Sequence, residues 1–130
     1  MSDDGVVSCP SRYSTRETME RLIAALPARN MTVFGRVDHG ANAVAAGMSL
    51  RPTDLVIFGN PKGGTVLMQD QQRAGLDLPL KALVWEDANG KVWVSYNDPS
   101  WIARRHGIGD TPAVQAMTAA MKAIAQAAAS

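Results

Sequence analysis

The sequence has only one cysteine, Cys9, among its 130 residues. A single cysteine cannot close an intramolecular disulfide, and no cysteine pair exists to hold zinc or an iron–sulfur cluster. A chain without disulfides fits a reducing compartment. Residues 1–7 carry two acids where a signal peptide would carry a basic region. We therefore expect a cytoplasmic protein.

The sequence also lacks a long apolar run and a charge excess. No stretch approaches the roughly 18–20 apolar residues that span a bilayer, so no membrane partner is expected. Thirteen basic and twelve acidic residues leave a net charge of +1. Nucleic-acid binding usually requires a basic face, so no nucleic-acid partner is expected either. The length and the 46% hydrophobic content predict one globular domain over residues 1–130.

The spacing of apolar residues predicts the order β-α-β-(α)-β-(α)-ββ-α-α. Ser14 and Glu17 match a capping box at the start of the first helix, and Asn89-Gly90 is a favoured hairpin turn between two β-rich runs. A cap at Asp110-Thr-Pro112 begins an apolar stripe on an Ala-rich helix. The predicted strands are 6–9, 31–38, 55–58, 81–86 and 91–96, and the predicted helices are 15–26, 41–48, a segment after Asn60, 100–106 and 111–128. Helices long enough to cover one face of an antiparallel sheet indicate an α+β fold.

Four segments of the sequence resemble a bacterial and archaeal family called domain of unknown function 302. They are Phe34-Gly-Arg-Val-Asp-His39, Leu50-Arg-Pro-Thr-Asp-Leu-Val-Ile-Phe-Gly-Asn-Pro-Lys62, Leu78-Pro-Leu80 and Val92-Trp-Val-Ser-Tyr-Asn-Asp-Pro99. The resemblance covers about residues 13–108 and leaves the helix at 111–128 outside. It implies a curved antiparallel sheet backed by helices, like one half of the TATA-box-binding protein, and a homodimer. It implies no activity, because fold does not carry function.

The segment Gly59-Asn-Pro-Lys-Gly-Gly64 follows the most apolar predicted strand. Asn60 can cap a helix, and Pro61 suits its first position. A strand that leads into a helix N-terminus presents free amides to an anion, Lys62 adds positive charge, and Gly63 permits close approach of a ligand. The segment lacks the spacing of the nucleotide-binding loop. Its alternative interpretation is a tight turn and cap, in which Gly63-Gly64 weakens the start of the helix.

His39 lies at the predicted end of a strand and is the weak candidate for a catalytic base. Its neighbour Asp38 should point to the opposite face. His106 is predicted to lie at a helix C-terminus, where its charge favours the dipole. The two histidines are not expected to form a metal site, so no metal is predicted and no cofactor is indicated.

Aromatic residues concentrate near the hairpin, at Trp85, Trp93, Tyr96 and Trp101. They can line a pocket, stack on a flat ligand, fill the core or form a dimer interface. Trp93 and Tyr96 should face opposite sides of a regular strand. Cys9 lacks an identified base and is expected to be a buried, inert thiol, while Glu86 and Asp87 are expected to be solvated.

These patterns lead to three functional hypotheses. The first is a homodimeric, non-enzymatic or accessory module that binds a small anionic or flat ligand, with His39, Asn60, Lys62, Gly63 and Tyr96 as candidate contacts. The second is an enzyme with His39 as general base and an anion site at the Asn60–Lys62 turn. The third is an interaction protein that uses Trp93 or Trp101 as its anchor.

Overall fold

The computed structural model describes residues 4–130, so the first three residues of the acidic N-terminal segment lie outside the described range. The strands are β1 (Val6–Ser11), β2 (Thr32–Asp38), β3 (Thr53–Gly59), β4 (Leu80–Glu86) and β5 (Val92–Asn97). The helices are α1 (Thr15–Ala25), α2 (His39–Ala45), α3 (Pro61–Asp70), α4 (Pro99–Arg105) and α5 (Pro112–Ala129), with 3-10 turns at Pro27–Arg29 and Gln72–Leu76.

The five strands form one open antiparallel sheet in the order β1-β5-β4-β3-β2. The apolar strand β3 is an inner strand that pairs with β2 on one side and with β4 on the other. The α+β single-domain prediction is confirmed. The detailed likeness to half of the TATA-box-binding protein stays a prediction.

Helices α1 and α5 pack against each other and cover one face of the sheet. The apolar stripe predicted on α5, Val114, Met117, Met121 and Ile124, is buried along its whole length. Its second half, Met121 and Ile124, belongs to the core cluster that contains the buried sheet residues, whereas Val114 and Met117 belong to a second cluster beside α3. The C-terminal helix is therefore an integral part of the domain, and the opposite face of the sheet is left without these two helices.

The N-cap of α1 follows the predicted chemistry. The Ser14 hydroxyl accepts a hydrogen bond from the Glu17 amide at 3.1 Å, which satisfies one free amide of the first turn. Similar caps start α2 at Asp38, α3 at Asn60, α4 at Asp98 and α5 at Thr111. Short polar side chains in the sequence thus fix where the helices begin.

Three local predictions are wrong. Pro10 lies inside β1 rather than at its end, which an edge strand allows because the missing amide costs no inner ladder bond. Gly63 and Gly64 do not disrupt α3, since the Asn60 cap and Pro61 start the helix ahead of them. Pro79 disfavours helix at the residue before it and so predicts an extended segment over residues 76–80, but a 3-10 turn ends at Leu76 and β4 begins only at Leu80.

Candidate ligand-binding site

The turn after β3 is the best-defined part of the candidate site. The Asn60 side-chain oxygen accepts from the Lys62 amide at 2.9 Å, and the Gly64 amide donates to the Asn60 carbonyl at 3.1 Å. Pro61 has no amide hydrogen. Among residues 4–130 the Gly63 amide has no hydrogen-bond partner, so the helix start offers one free donor. The anion site expected from several free amides is thus reduced to a single one.

A cavity of about 440 Å³ opens beside this turn. Its walls come from α3, α5, the ends of β2, β3 and β4, and the segments that precede β2 and β4. The lining is mostly apolar and comprises Arg29, Met31, Phe34, Gly59, Asn60, Pro61, Lys62, Gly63, Gly64, Thr65, Met68, Leu78, Pro79, Leu80, Ala113, Ala116, Met117 and Ala120. Both its volume and its apolar walls match typical small-molecule sites.

Two glycines set how closely the walls of this cavity approach one another. A Cβ on Gly63 would lie 3.1 Å from the Met117 Cε atom, so the missing side chain lets α3 approach α5. A Cβ on Gly59 would lie 3.5 Å from both Phe34 and Pro79. Side chains larger than glycine at positions 59 and 63 would therefore reduce the volume of the cavity.

The electrostatics of the cavity come from Arg29 and Lys62. Both side chains are exposed, and neither forms an ion pair with a carboxylate of residues 4–130. No acidic residue lines the cavity. The site is therefore an apolar space with two uncompensated positive charges, which is complementary to an anionic group on an apolar ligand.

The structure does not bring His39 to this site. Strand β2 begins where Thr32 pairs with Gly59, beside the turn, and ends where Asp38 pairs with Asp54. Six residues of strand separate the two ends, which is about 20 Å. His39 is exposed at the first position of α2, behind the Asp38 cap. A single centre that combines His39 as base with the Asn60–Lys62 turn has no geometric basis.

Tyr96 is also separate from the cavity. It pairs with Ala82 on β4 and with Val7 on β1, and it is half-buried against the core under the helices. Burial raises the pKa of the Tyr96 hydroxyl, and the nearby Asp98 raises it further. Of the five candidate contacts, the structure thus places Asn60, Lys62 and Gly63 together at one cavity.

Sequence reasoning missed the methionines of the cavity and Arg29. Met31 lies in a predicted strand and Met117 in a predicted apolar stripe. Apolar periodicity cannot distinguish a residue that packs in the core from one that lines a cavity. Met68 follows the two glycines with no distinguishing pattern. Arg29 reaches the cavity because the 3-10 turn Pro27–Arg29 follows α1 directly.

A second polar cluster anchors the segment that carries one wall of the cavity. Asp77 accepts hydrogen bonds from Arg105 Nη1 at 2.8 Å, and its Oδ2 lies 2.6 Å from His106 Nε2. Burial raises the pKa of Asp77, but the hydrogen bond with His106 and the charge of Arg105 outweigh it, so the pKa of Asp77 lies below its ordinary value. His106 is buried, and its Nδ1 has no partner within residues 4–130. His106 is the C-cap residue of α4, which confirms its predicted place at a helix C-terminus, and its pairing with Asp77 is an additional contact.

The aromatic residues divide between the two faces of the sheet. Trp85 and Trp93 lie on the face opposite α1 and α5, with ring centroids 6.4 Å apart. Trp85 Nε1 donates to Ser95 Oγ at 2.9 Å, and Trp93 Nε1 donates to Asp87 at 2.9 Å. Trp101 packs against the core on the other side, where Gly5 is close to its ring. Trp93 and Tyr96 face opposite sides, as the strand period predicts.

Asp87 organises the hairpin loop and is not simply a solvated acid. Its carboxylate accepts from the amides of Asn89 and Lys91 as well as from Trp93. The hydrogen bond from Trp93, followed by the one from the Lys91 amide, lowers the pKa of Asp87. Asp87 is open to solvent as expected, but a single acid near a turn gives no signal of these hydrogen-bond partners.

Cys9 is half-buried on β1, where it packs against the core. Burial raises the pKa of the Cys9 thiol. A raised pKa leaves less thiolate and thus a less reactive sulfur. Within residues 4–130, no group of three or more His, Cys, Asp or Glu side chains could hold a metal ion.

The fold and the cavity together define a small α+β domain with one apolar site beside the start of α3. The family model described as "Domain of unknown function DUF302" matches residues 7–128. The chain belongs to this family. The match is wider than the 13–108 indicated by the sequence motifs, and it includes α5.

A solved structure and curated sequences are similar to the chain. The crystal structure of the uncharacterized conserved protein DUF302 from Bacillus stearothermophilus superposes with a TM-score of 0.78 at 18% identity, and the match covers 97% of this chain and 96% of that one. This likeness shows the fold. The chain is 57% identical over 107 residues to proteins named "Fluoride-specific ion channel FluC 1" from Brucella suis biovar 1 (strain 1330) and Brucella abortus biovar 1 (strain 9-941).

The match to these Brucella proteins covers 82% of this chain but only 42% and 40% of the two relatives. The chain thus spans about two fifths of their length. A search of residues 4–130 for a helix with the length and hydropathy to cross a membrane finds none.

Proposed function

We propose that the protein is a small-ligand-binding or accessory module whose ligand occupies the cavity beside Asn60, Lys62 and Gly63. The observation that carries the proposal is the union of an apolar cavity of about 440 Å³ with two cations that have no carboxylate partner. A ligand with an anionic group and an apolar body complements both properties. The reducing-compartment argument from Cys9 supports a cytoplasmic role.

The enzyme hypothesis is less well supported. His39 lies at the far end of β2, and the turn keeps a single free amide instead of a set of oxyanion donors. The channel in the names of the Brucella relatives is not carried over, because the chain matches about two fifths of their length.

Methionine-methyl NMR tests the binding proposal directly. Met31, Met68 and Met117 line the cavity, whereas Met19 and Met48 do not and serve as internal controls. A library of small carboxylates and flat aromatic compounds should contain ligands that shift the three cavity methyls and leave the control methyls unchanged. If no compound shifts a cavity methyl, or if all five methyls shift together, the proposal fails.

A filled-cavity variant provides the matched test. Ala116 lines the cavity from the exposed side of α5, and Ala119 lies on the same helix without lining it. Ala116→Phe should abolish the cavity shifts with little loss of stability, because position 116 is exposed. Ala119→Phe should bind ligand like the wild type. Equal binding by both variants would place the ligand elsewhere.

We also propose that the protein is a homodimer that associates through the sheet face opposite α1 and α5. This face carries Trp85, Trp93, Leu55, Ile57 and Leu83 in half-buried positions. Aromatic and aliphatic residues of this kind are enriched at the centre of protein interfaces, and a second copy would cover them. The third hypothesis is retained in this form for Trp93, while Trp101 packs against the core.

Sedimentation velocity tests the dimer. Leu83→Glu puts a charge at the middle of this face, and it should shift the protein from dimer to monomer by desolvation and repulsion. Ala119→Glu on α5 is the control, since Ala119 is exposed and its helix covers the other face of the sheet. A monomeric wild-type protein, or a Leu83→Glu variant that remains dimeric, would contradict the proposal.

A further inference from the structure

We propose that the cavity ligand is an unbranched aliphatic carboxylate, with its chain against the methionines and its carboxylate at Lys62 and Arg29. This inference rests on the proposed binding function and narrows its ligand from "anionic or flat" to one chemical class. Three observations carry it: the kind of apolar side chain in the cavity, the position of the aromatic residues, and the distribution of charge.

The apolar wall of the cavity combines flexible and small side chains with two leucines and two prolines. Met31, Met68 and Met117 supply three thioethers, and α5 supplies alanines between them. Methionine is unbranched and polarizable, so it adapts to an irregular or flexible ligand. The Met117 methyl packs against Gly63, since a Cβ at position 63 would lie 3.1 Å from the Met117 Cε atom. Such a wall suits an alkyl chain, which has no preferred face.

The cavity offers little to a flat aromatic ring. Phe34 is the one aromatic residue among its lining residues, and it is 52% exposed at the rim. Trp85 and Trp93 stack on each other at the opposite face of the sheet. Recognition of a ring by offset stacking or edge-to-face contact requires an aromatic partner beside it. The flat-ligand alternative therefore lacks its contact group here.

The charge of the cavity lining suits a carboxylate. Lys62 and Arg29 are the charged residues of the lining, and neither is neutralised by a partner within residues 4–130. The Gly63 amide is a further donor without a partner. Because both cations are exposed, each should contribute about two- to fivefold to affinity. Most of the affinity should then come from the buried chain.

This division of affinity gives a quantitative test with a series of fatty acids from hexanoate to dodecanoate. Each sample is kept below its micelle concentration, and the dissociation constant is read from the Met68 and Met117 methyl shifts. Each added methylene should tighten binding about fourfold until the cavity is full, after which the affinity should stop rising. Decanol should bind severalfold more weakly than decanoate, since it has no charge for the two cations.

A substitution separates the head group from the chain. Lys62→Met should weaken decanoate binding two- to fivefold and leave decanol binding unchanged. Lys122→Met is the matched control, because Lys122 is exposed on α5 and does not line the cavity. An equal effect of both substitutions on decanoate would overturn the assignment of the head group.

The outcomes distinguish a failure of the aliphatic ligand class from a failure of the proposed binding function. If 2-naphthoate shifts the cavity methyls and binds more tightly than decanoate, the cavity is a ligand site but the aliphatic assignment is wrong. If affinity does not depend on chain length, the assignment is also wrong. If neither the fatty acids nor 2-naphthoate shifts Met68 or Met117, while the library compounds do, the site takes another ligand class. If nothing shifts them, both proposals fail.

Discussion

The Asp77 cluster yields a prediction that connects stability to the cavity wall. Asp77 immediately precedes Leu78 and Pro79, which line the cavity, and its carboxylate is bound by Arg105 and His106 at the C-terminal end of α4. Asp77→Asn removes the negative charge and retains one side-chain oxygen as an acceptor. The charge-assisted hydrogen bond with the buried partner, His106, is lost, which should cost about 2 kcal/mol of unfolding free energy. For a domain of this size, that lowers the melting temperature by about 8 °C.

The pH dependence gives this prediction its second readout. The pKa of Asp77 is lower in the folded protein than the ordinary value of an aspartate. The stabilisation it provides is therefore fully present above the unfolded-state pKa, and it is lost as the pH falls through the lower folded-state pKa. The difference in stability between the wild type and Asp77→Asn should be largest near neutral pH and should shrink below about pH 4.

Urea denaturation followed by circular dichroism measures both effects. Asp70→Asn is the control, since Asp70 is an exposed acid with no ion pair in the described part of the chain. Its stability should change by less than about 0.5 kcal/mol. A loss for Asp77→Asn as small as that of the control, or a difference that is as large at pH 3 as at neutral pH, would refute the role given to this carboxylate.

Three further substitutions test the N-cap of α1, the packing of the core and the close approach of α3 to α5. Ser14→Ala removes the acceptor of the Glu17 amide and should cost about 1 kcal/mol in urea denaturation, whereas no change would show that the cap is dispensable. Met121→Ala empties a position that is 1% exposed and should cost about 2–5 kcal/mol, and a smaller loss would mean that the core collapses around it. Gly63→Ala improves helix propensity but crowds the Met117 methyl, so stability should stay within about 1 kcal/mol while the Met117 methyl resonance moves. An unmoved resonance would contradict the close approach of α3 and α5.

The sequence predicted local structure where a single physical signal was sufficient. The capping serine at Ser14, the proline inside α5 and the apolar stripe of that helix each mark a boundary or a face by themselves. The alternation of Trp93 with Val92 and Val94 likewise fixed which side each residue faces.

Prediction failed where the answer depends on residues distant in sequence. Asp77 and His106 are paired across 29 residues, and Asp87 is engaged by Trp93 across the hairpin. His39 and Lys62 both follow strands, but β2 and β3 run antiparallel, so the two residues lie at opposite ends of the strand pair. The cavity itself arises from how α3 and α5 pack, and no spacing within either helix specifies it.

The placement of β1 at the edge beside β5 has a consequence for folding. Val6 pairs with Asn97, and the Arg12 amide donates to the carbonyl of Ala129 at 3.0 Å. Contacts between such distant residues close long loops, and they slow folding relative to a fold with local contacts. During synthesis, β1 is made before the other four strands, but it can pair only after β5 has been made. We expect its residues to be the last of the sheet to gain protection from hydrogen exchange.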